Sequence, residues 1–86
     1  MLIRWDRHAK LRFAERVIKL GVNYGDIEFE IKKPRVKIKQ ENERIKAIFK
    51  IANDYLTAIK LETKEFIHVI TLWEASEKEV EIWNKK

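Results

Sequence analysis

The sequence predicts an α+β domain, with two N-terminal helices packed on a four-stranded antiparallel meander sheet and a C-terminal helix closing the chain. Three observations predict it. Four runs between Pro34 and Trp73, at 35–40, 44–52, 55–62 and 65–73, are rich in β-branched and aromatic residues and alternate with period two, as half-buried strands do. Short turn signals at Asn42-Glu43, Asn53-Asp54 and Thr63-Lys64 separate these runs, which makes a meander. The flanking segments carry apolar residues at three- and four-residue spacing instead, and helices with one apolar stripe need a sheet face on which to bury it.

The segment Leu2 to Trp5 reads either as a short strand or as an apolar lead that packs Trp5 on the first helix. Asp6 is placed to cap a helix over 7–20, with Ala9, Phe13, Ala14, Val17 and Ile18 as its stripe and Gly21 as its stop. Asn23 followed by Asp26 marks a second helix over 24–33, with Ile27 and Ile31 one turn apart and Pro34 closing it. The alternation of Ile27, Phe29 and Ile31 also fits a strand. Ser76 is placed to cap the last helix, in which Glu77 and Glu79 suit the positive end of the helix dipole, Lys85 and Lys86 the negative end, and Val80, Ile82 and Trp83 are apolar anchors.

Register in the first hairpin follows from alternation. A tight turn at Asn42-Glu43 sets Lys39 opposite Lys46, Ile38 opposite Ala47, Val36 opposite Phe49 and Arg35 opposite Lys50. Val36, Ile38, Ile45, Ala47, Phe49 and Ile51 then share the core face, and Arg35, Lys37, Lys39, Arg44, Lys46 and Lys50 share the other. Continued through the next turns, the pattern adds Leu56, Ala58, Ile67 and Val69 to the helix-covered face, and Thr57, Ile59, Leu61, Phe66, His68, Ile70 and Leu72 to the cationic one. Like charges side by side weaken a sheet by roughly 0.2–1 kcal/mol per pair, so such a face calls for an anion. The competing account is an edge hairpin that uses lysines against edge-to-edge aggregation. The apolar half of the second face needs a cover, from the last helix, a homodimer mate or another protein.

Composition narrows the function. The chain of 86 residues makes one domain spanning 1–86, with room for one site. With no cysteine it has no disulfide and no thiol chemistry, and a reducing interior suits it. No apolar signal region opens it and no run approaches a membrane span, so a cytoplasmic protein without membrane partners is expected. The excess of 19 Lys and Arg over 14 acids gives +5, which favours RNA, a ribosome or an acidic protein as partner. With 38% charged residues, two Gly and one Pro, the composition also resembles that of thermophilic proteins rich in surface ion pairs.

No phosphate-binding glycine loop is present, Ser76 has a full explanation as a cap, and His8 and His68 lack the spacing of a metal pair, so neither cofactor nor metal is expected. What remains is His68 among the cations. Cleavage of RNA by its own 2′-hydroxyl needs a base, an acid and a cation beside the phosphorane, and histidine, lysine and arginine supply all of these without metal. The candidate catalytic residues are His68, Lys46, Lys50 and Arg44, and the candidate nucleic-acid-binding residues are Arg35, Lys37, Lys39, Arg44, Lys46 and Lys50. A histidine in an apolar strand is also commonly a packed residue with no chemistry.

The segment from Asp6 to Ile27, with His8-Ala9-Lys10-Leu11-Arg12 and Glu15-Arg16, resembles the small domains related to BrnT toxins and an uncharacterised sister family. The likeness continues through the basic strands to Ile67–Trp83, with Ala75-Ser76-Glu77-Lys78-Glu79 in the final segment. These domains look like the RelE/ParE toxin superfamily, so the resemblance implies a metal-independent endoribonuclease acting on RNA, some of it on the ribosome, and held inactive by an antitoxin protein. Where the family carries an arginine on the last strand this chain has His68, and where it ends that strand with arginine this chain has Trp73. On that likeness His68 stands in as proton donor and Arg44, Lys46 or Lys50 supplies the charge. A non-catalytic RNA- or ribosome-binding module and a protein-interaction subunit of the same fold are the alternatives.

Overall fold

The computed structural model describes residues 2–86. Its five strands form one mixed sheet in the order β1-β5-β4-β3-β2: β1 (Leu2–Trp5), β2 (Val36–Lys39), β3 (Arg44–Ile51), β4 (Asp54–Glu62) and β5 (Phe66–Glu74). Strands β2 to β5 are the expected antiparallel meander, and the four-stranded expectation is corrected by β1, which adds to β5 in parallel. A parallel neighbour comes from a distant part of the chain, so no local turn signal announces it.

Helix α1 (Arg7–Arg12) begins where Asp6 accepts a hydrogen bond from the His8 N–H, and it runs on as a π-helical stretch over Phe13–Val17 and a tight 3-10 turn over Ile18–Leu20. Gly21, at φ +79°, ends it in the left-handed conformation that glycine adopts without a Cβ penalty. The wide π turn changes the phase of the stripe. Ala9, Phe13 and Val17 are buried as expected, whereas Ala14 and Ile18 face solvent, Ile18 at 56% exposure.

Helix α2 (Tyr24–Lys32) starts at the Asn23 cap, whose side chain accepts from the Asp26 N–H at 2.9 Å, and it buries Ile27 and Ile31. These helices cover one sheet face, where Ala9, Phe13, Val17, Ile27, Ile31, Phe49, Leu56, Ala58, Ile67, Val69 and Leu72 form the core. Lys60 also points there, with no exposed surface. Its Nζ donates to the Ile31 carbonyl at 2.7 Å and to Glu62 at 3.2 Å, tying the open end of α2 to β4.

Two expectations of register are corrected. The β2–β3 turn contains three residues, not two: Gln40 N–H donates to the Arg44 carbonyl across Glu41–Glu43, with Asn42 and Glu43 at φ 57° and 61°. One extra residue moves the pairing by one, so Val36 lies opposite Ile48, Lys37 opposite Ala47, Ile38 opposite Lys46 and Lys39 opposite Ile45. Val36 and Ile38 therefore join the second face. On β5, Ile59 pairs with Thr71 and Lys60 with Val69, leaving Ile70 unpaired as a bulge. That bulge turns Leu72 into the helix-covered core instead of onto the cationic face.

Helix α3 (Glu77–Asn84) crosses the second face. It opens with a capping box, in which Ser76 accepts from the Glu79 N–H and Glu79 accepts from the Ser76 N–H. Val80 and Trp83 are half-buried and Ile82 is exposed, while Glu79 is the buried residue of the helix. Trp83 meets the Tyr55 ring edge-on at 5.3 Å and carries the Arg35 guanidinium at 4.4 Å on its own ring. No helix among the described residues is long and apolar enough to cross a membrane.

Candidate nucleic-acid interface

The second sheet face is divided. Under α3, Lys46 Nζ lies 2.7 Å from Glu79 Oε2, and the Trp73 indole donates to the same carboxylate at 3.1 Å. Burial pushes the Glu79 carboxyl up, but the hydrogen bonds from Lys46, the Ser76 backbone and Trp73, with help from the Thr57 hydroxyl, outweigh it and hold the pKa at about 2. The Thr57 hydroxyl is buried without a hydrogen bond of ordinary geometry.

Beyond α3 the face is open. Alternation and pairing place Arg44 on β3, Leu61 on β4, His68 on β5 and Arg4 on β1 in one row, since Arg44 lies opposite Leu61, Leu61 opposite His68 and His68 opposite Arg4. Neighbouring strands lie about 4.8 Å apart, so His68 has an arginine about 5 Å away on one side and another about 10 Å away on the other, measured between backbones. Arg4 and Arg44 are exposed and His68 is partly exposed. Next to Arg44 a shallow cleft is lined by Lys39, Gln40, Glu41, Asn42 and Ile59.

Asp6 completes the row. Its main-chain N–H donates to the Val69 carbonyl at 2.9 Å, which fixes the residue beside β5. One carboxylate oxygen caps α1 at 3.3 Å from the His8 N–H, and the other lies 3.8 Å from His68 Nε2. The carboxylate thus sits beside the imidazole on the open face.

The sequence-based candidates thus separate. His68 and Arg44 share the open row. Lys46 shares their face but is engaged by Glu79, and Lys50, six positions beyond Arg44 on β3, sits about 20 Å along the strand with its ammonium 5.5 Å from the Tyr55 ring centroid. Lys37 and Lys39 lie opposite Ala47 and Ile45, so the register places them on the other face, at its edge. Arg35 stacks on Trp83 and donates to the Lys86 carbonyl at 2.9 Å. The single continuous basic face is therefore corrected to a short cationic row and several dispersed cations. Arg4 and Asp6 were not legible as partners of His68, because only the parallel β1–β5 pairing brings them there. Among the described residues no three His, Asp or Glu side chains gather as a metal site requires.

A solved structure shares this architecture: the crystal structure of the Brucella abortus ribonuclease toxin BrnT matches with a TM-score of 0.66 at 21% identity, over 90% of this chain and 99% of that one. The chain has the fold of that toxin. No family model matches the sequence, and no curated protein matches it.

Proposed function

We propose that this protein is a metal-independent endoribonuclease of the BrnT type, the toxin of a toxin–antitoxin pair, with its chemistry on the open row of the second sheet face. The observation that carries the reading is the placement of His68 between Arg4 and Arg44 on a solvent-open sheet, in a fold shared with a ribonuclease toxin. Arg4 and Arg44 hold the scissile phosphodiester and stabilise the charge that grows on its oxygens. His68 takes the proton of the 2′-hydroxyl, the 2′-oxygen bonds to phosphorus, and the 5′-oxygen leaves with the proton that the imidazolium returns to it. Asp6, 3.8 Å from Nε2, flanks the ring on the side of α1. The products are a 2′,3′-cyclic phosphate and a 5′-hydroxyl. The RNA substrate is free or ribosome-bound, and an antitoxin would silence the toxin by covering this row.

The test is purified protein with single-stranded RNA in the presence of EDTA. Cleavage lost by at least about a hundredfold in a folded His68→Ala variant supports the reading, since positioned acid–base groups contribute on that scale. Cleavage that survives His68→Ala, or none by the parent protein, overturns it. One observation favours a second reading, an RNA-binding module without catalysis: the strand-end position where related toxins carry arginine holds Trp73, whose indole is committed to Glu79 and supplies no charge.

A further inference from the structure

The corner of the open face formed by β1 and β5 has two dissimilar halves. Arg4 lies opposite His68, and two residues earlier on each strand Leu2 lies opposite Phe66. Residues two apart on a strand share a face, about 6.6 Å apart, so these four side chains make a patch of about 5 by 7 Å between backbones. Its rear half is cationic and its front half apolar. Leu2 is 62% exposed, and the Phe66 ring lies 6.5 Å from the His68 ring with the Arg4 guanidinium above it, 4.6 Å from the ring centroid.

A single exposed leucine on a small protein needs no explanation. Here it is paired with a partly exposed aromatic ring and an exposed arginine whose guanidinium lies over that ring, all on the face and in the corner that hold His68. Bases of single-stranded RNA bind proteins by stacking on aromatic rings and guanidinium planes, while the backbone follows the cations.

We propose that Phe66, Arg4 and Leu2 form a nucleobase platform beside His68, so that the substrate is single-stranded RNA with an unstacked base next to the phosphate being cut. The proposal rests on the ribonuclease reading of the same row. The base lies on the outer side of the Arg4 guanidinium, which Phe66 supports from below, with Leu2 against its edge. Arg4 thereby serves two neighbours, the base through its plane and the phosphate through its charge. Duplex RNA, whose bases are stacked away, is a poor ligand.

Binding is read with a short 2′-O-methylated oligouridylate, which has no nucleophile and stays intact, and with an abasic oligomer of the same length and charge. The parent protein is expected to prefer the base-bearing oligomer by about tenfold or more, the range of one base–aromatic stack. Phe66→Leu, which keeps an apolar side chain in the strand, is expected to remove that preference while leaving abasic affinity and the salt dependence unchanged. Arg4→Lys, which loses the guanidinium plane, is expected to remove the preference as well, together with some abasic affinity, because Arg4 also contacts the phosphate. Equal affinity of the parent for the two oligomers overturns the platform, and so does a Phe66→Leu variant that loses affinity for both alike; the parent comparison stands even where a variant fails to fold. Cleavage by a parent protein indifferent to the base would overturn the platform alone, whereas absence of RNA cleavage overturns the ribonuclease reading beneath it. If the patch instead docks a protein, RNA affinity is unaltered by either substitution, which also overturns the proposal.

Discussion

Lys46 and Glu79 meet at 2.7 Å with both side chains largely withdrawn from water, and they join the C-terminal helix to the sheet through a polar plug. The sequence placed Lys46 on a free cationic face. The structure gives it a carboxylate from its own chain, so the like-charge tension expected of that face is relieved internally over the part that α3 covers. The cations of the open row lie outside the helix.

The Glu79 pKa, lowered from 4.5 to about 2, makes the plug pH-sensitive in a defined direction. The folded state holds this proton less tightly than the unfolded chain, so the stabilisation is fully present above about pH 4.5 and is lost as pH falls through about 2. A shift of this size corresponds to on the order of 3 kcal/mol. Denaturant unfolding of the parent and of Glu79→Gln between neutral pH and pH 2 should therefore show a stability gap that closes with acid. A gap independent of pH would mean that the carboxylate's charge does not hold α3.

Phe49 has no exposed surface and sits where β3 meets the helix layer. Phe49→Ala should cost about 3–5 kcal/mol in chemical unfolding, through lost burial and the cavity left behind. A change below about 0.5 kcal/mol, the range of surface sites, would contradict the burial of this strand face.

Lys60 is tested by two substitutions of different size. Lys60→Met keeps most of the volume but strips the Ile31 carbonyl of its donor, at an expected cost of about 1–3 kcal/mol. Lys60→Ala adds a cavity and should lose about 2 kcal/mol more. If the methionine variant is as stable as the parent or more so, the desolvation of the buried ammonium outweighs its two hydrogen bonds.

How much of this molecule is legible in the sequence depends on the range of the interaction. The caps at Asp6, Asn23 and Ser76 and the alternation of β3 and β4 are local, and they stand where the residue types put them. Phe49 is buried as expected even though the β2–β3 register is not the expected one, because alternation within β3 selects its face without reference to β2. Errors enter where one residue more or less changes phase: the three-residue turn before Arg44, the bulge at Ile70 and the π turn after Arg12. Each adds backbone without a glycine or proline to mark it. His68 and Arg44 were legible as candidates by type, but the company of His68 was not, since Arg4 and Asp6 reach it through a parallel pairing across about 60 residues of chain.

The division of the cations between faces gives the last prediction. Arg44 lies in the row with His68, whereas Lys37 carries the same charge on the neighbouring strand but is turned to the other face by the one-residue register shift. Net charge alone would make Arg44→Glu and Lys37→Glu equivalent. A local phosphate contact makes them differ, because each neutralised phosphate contributes up to about one unit to the slope of log affinity against log salt. Arg44→Glu should therefore weaken single-stranded RNA binding at low salt by about tenfold or more and make the slope shallower by up to about one unit, while Lys37→Glu produces a smaller loss with the slope retained. Fluorescence anisotropy titrations over a series of salt concentrations measure both quantities. Equal effects of the two reversals would show that RNA is held by the overall positive field, with no phosphate seated beside His68.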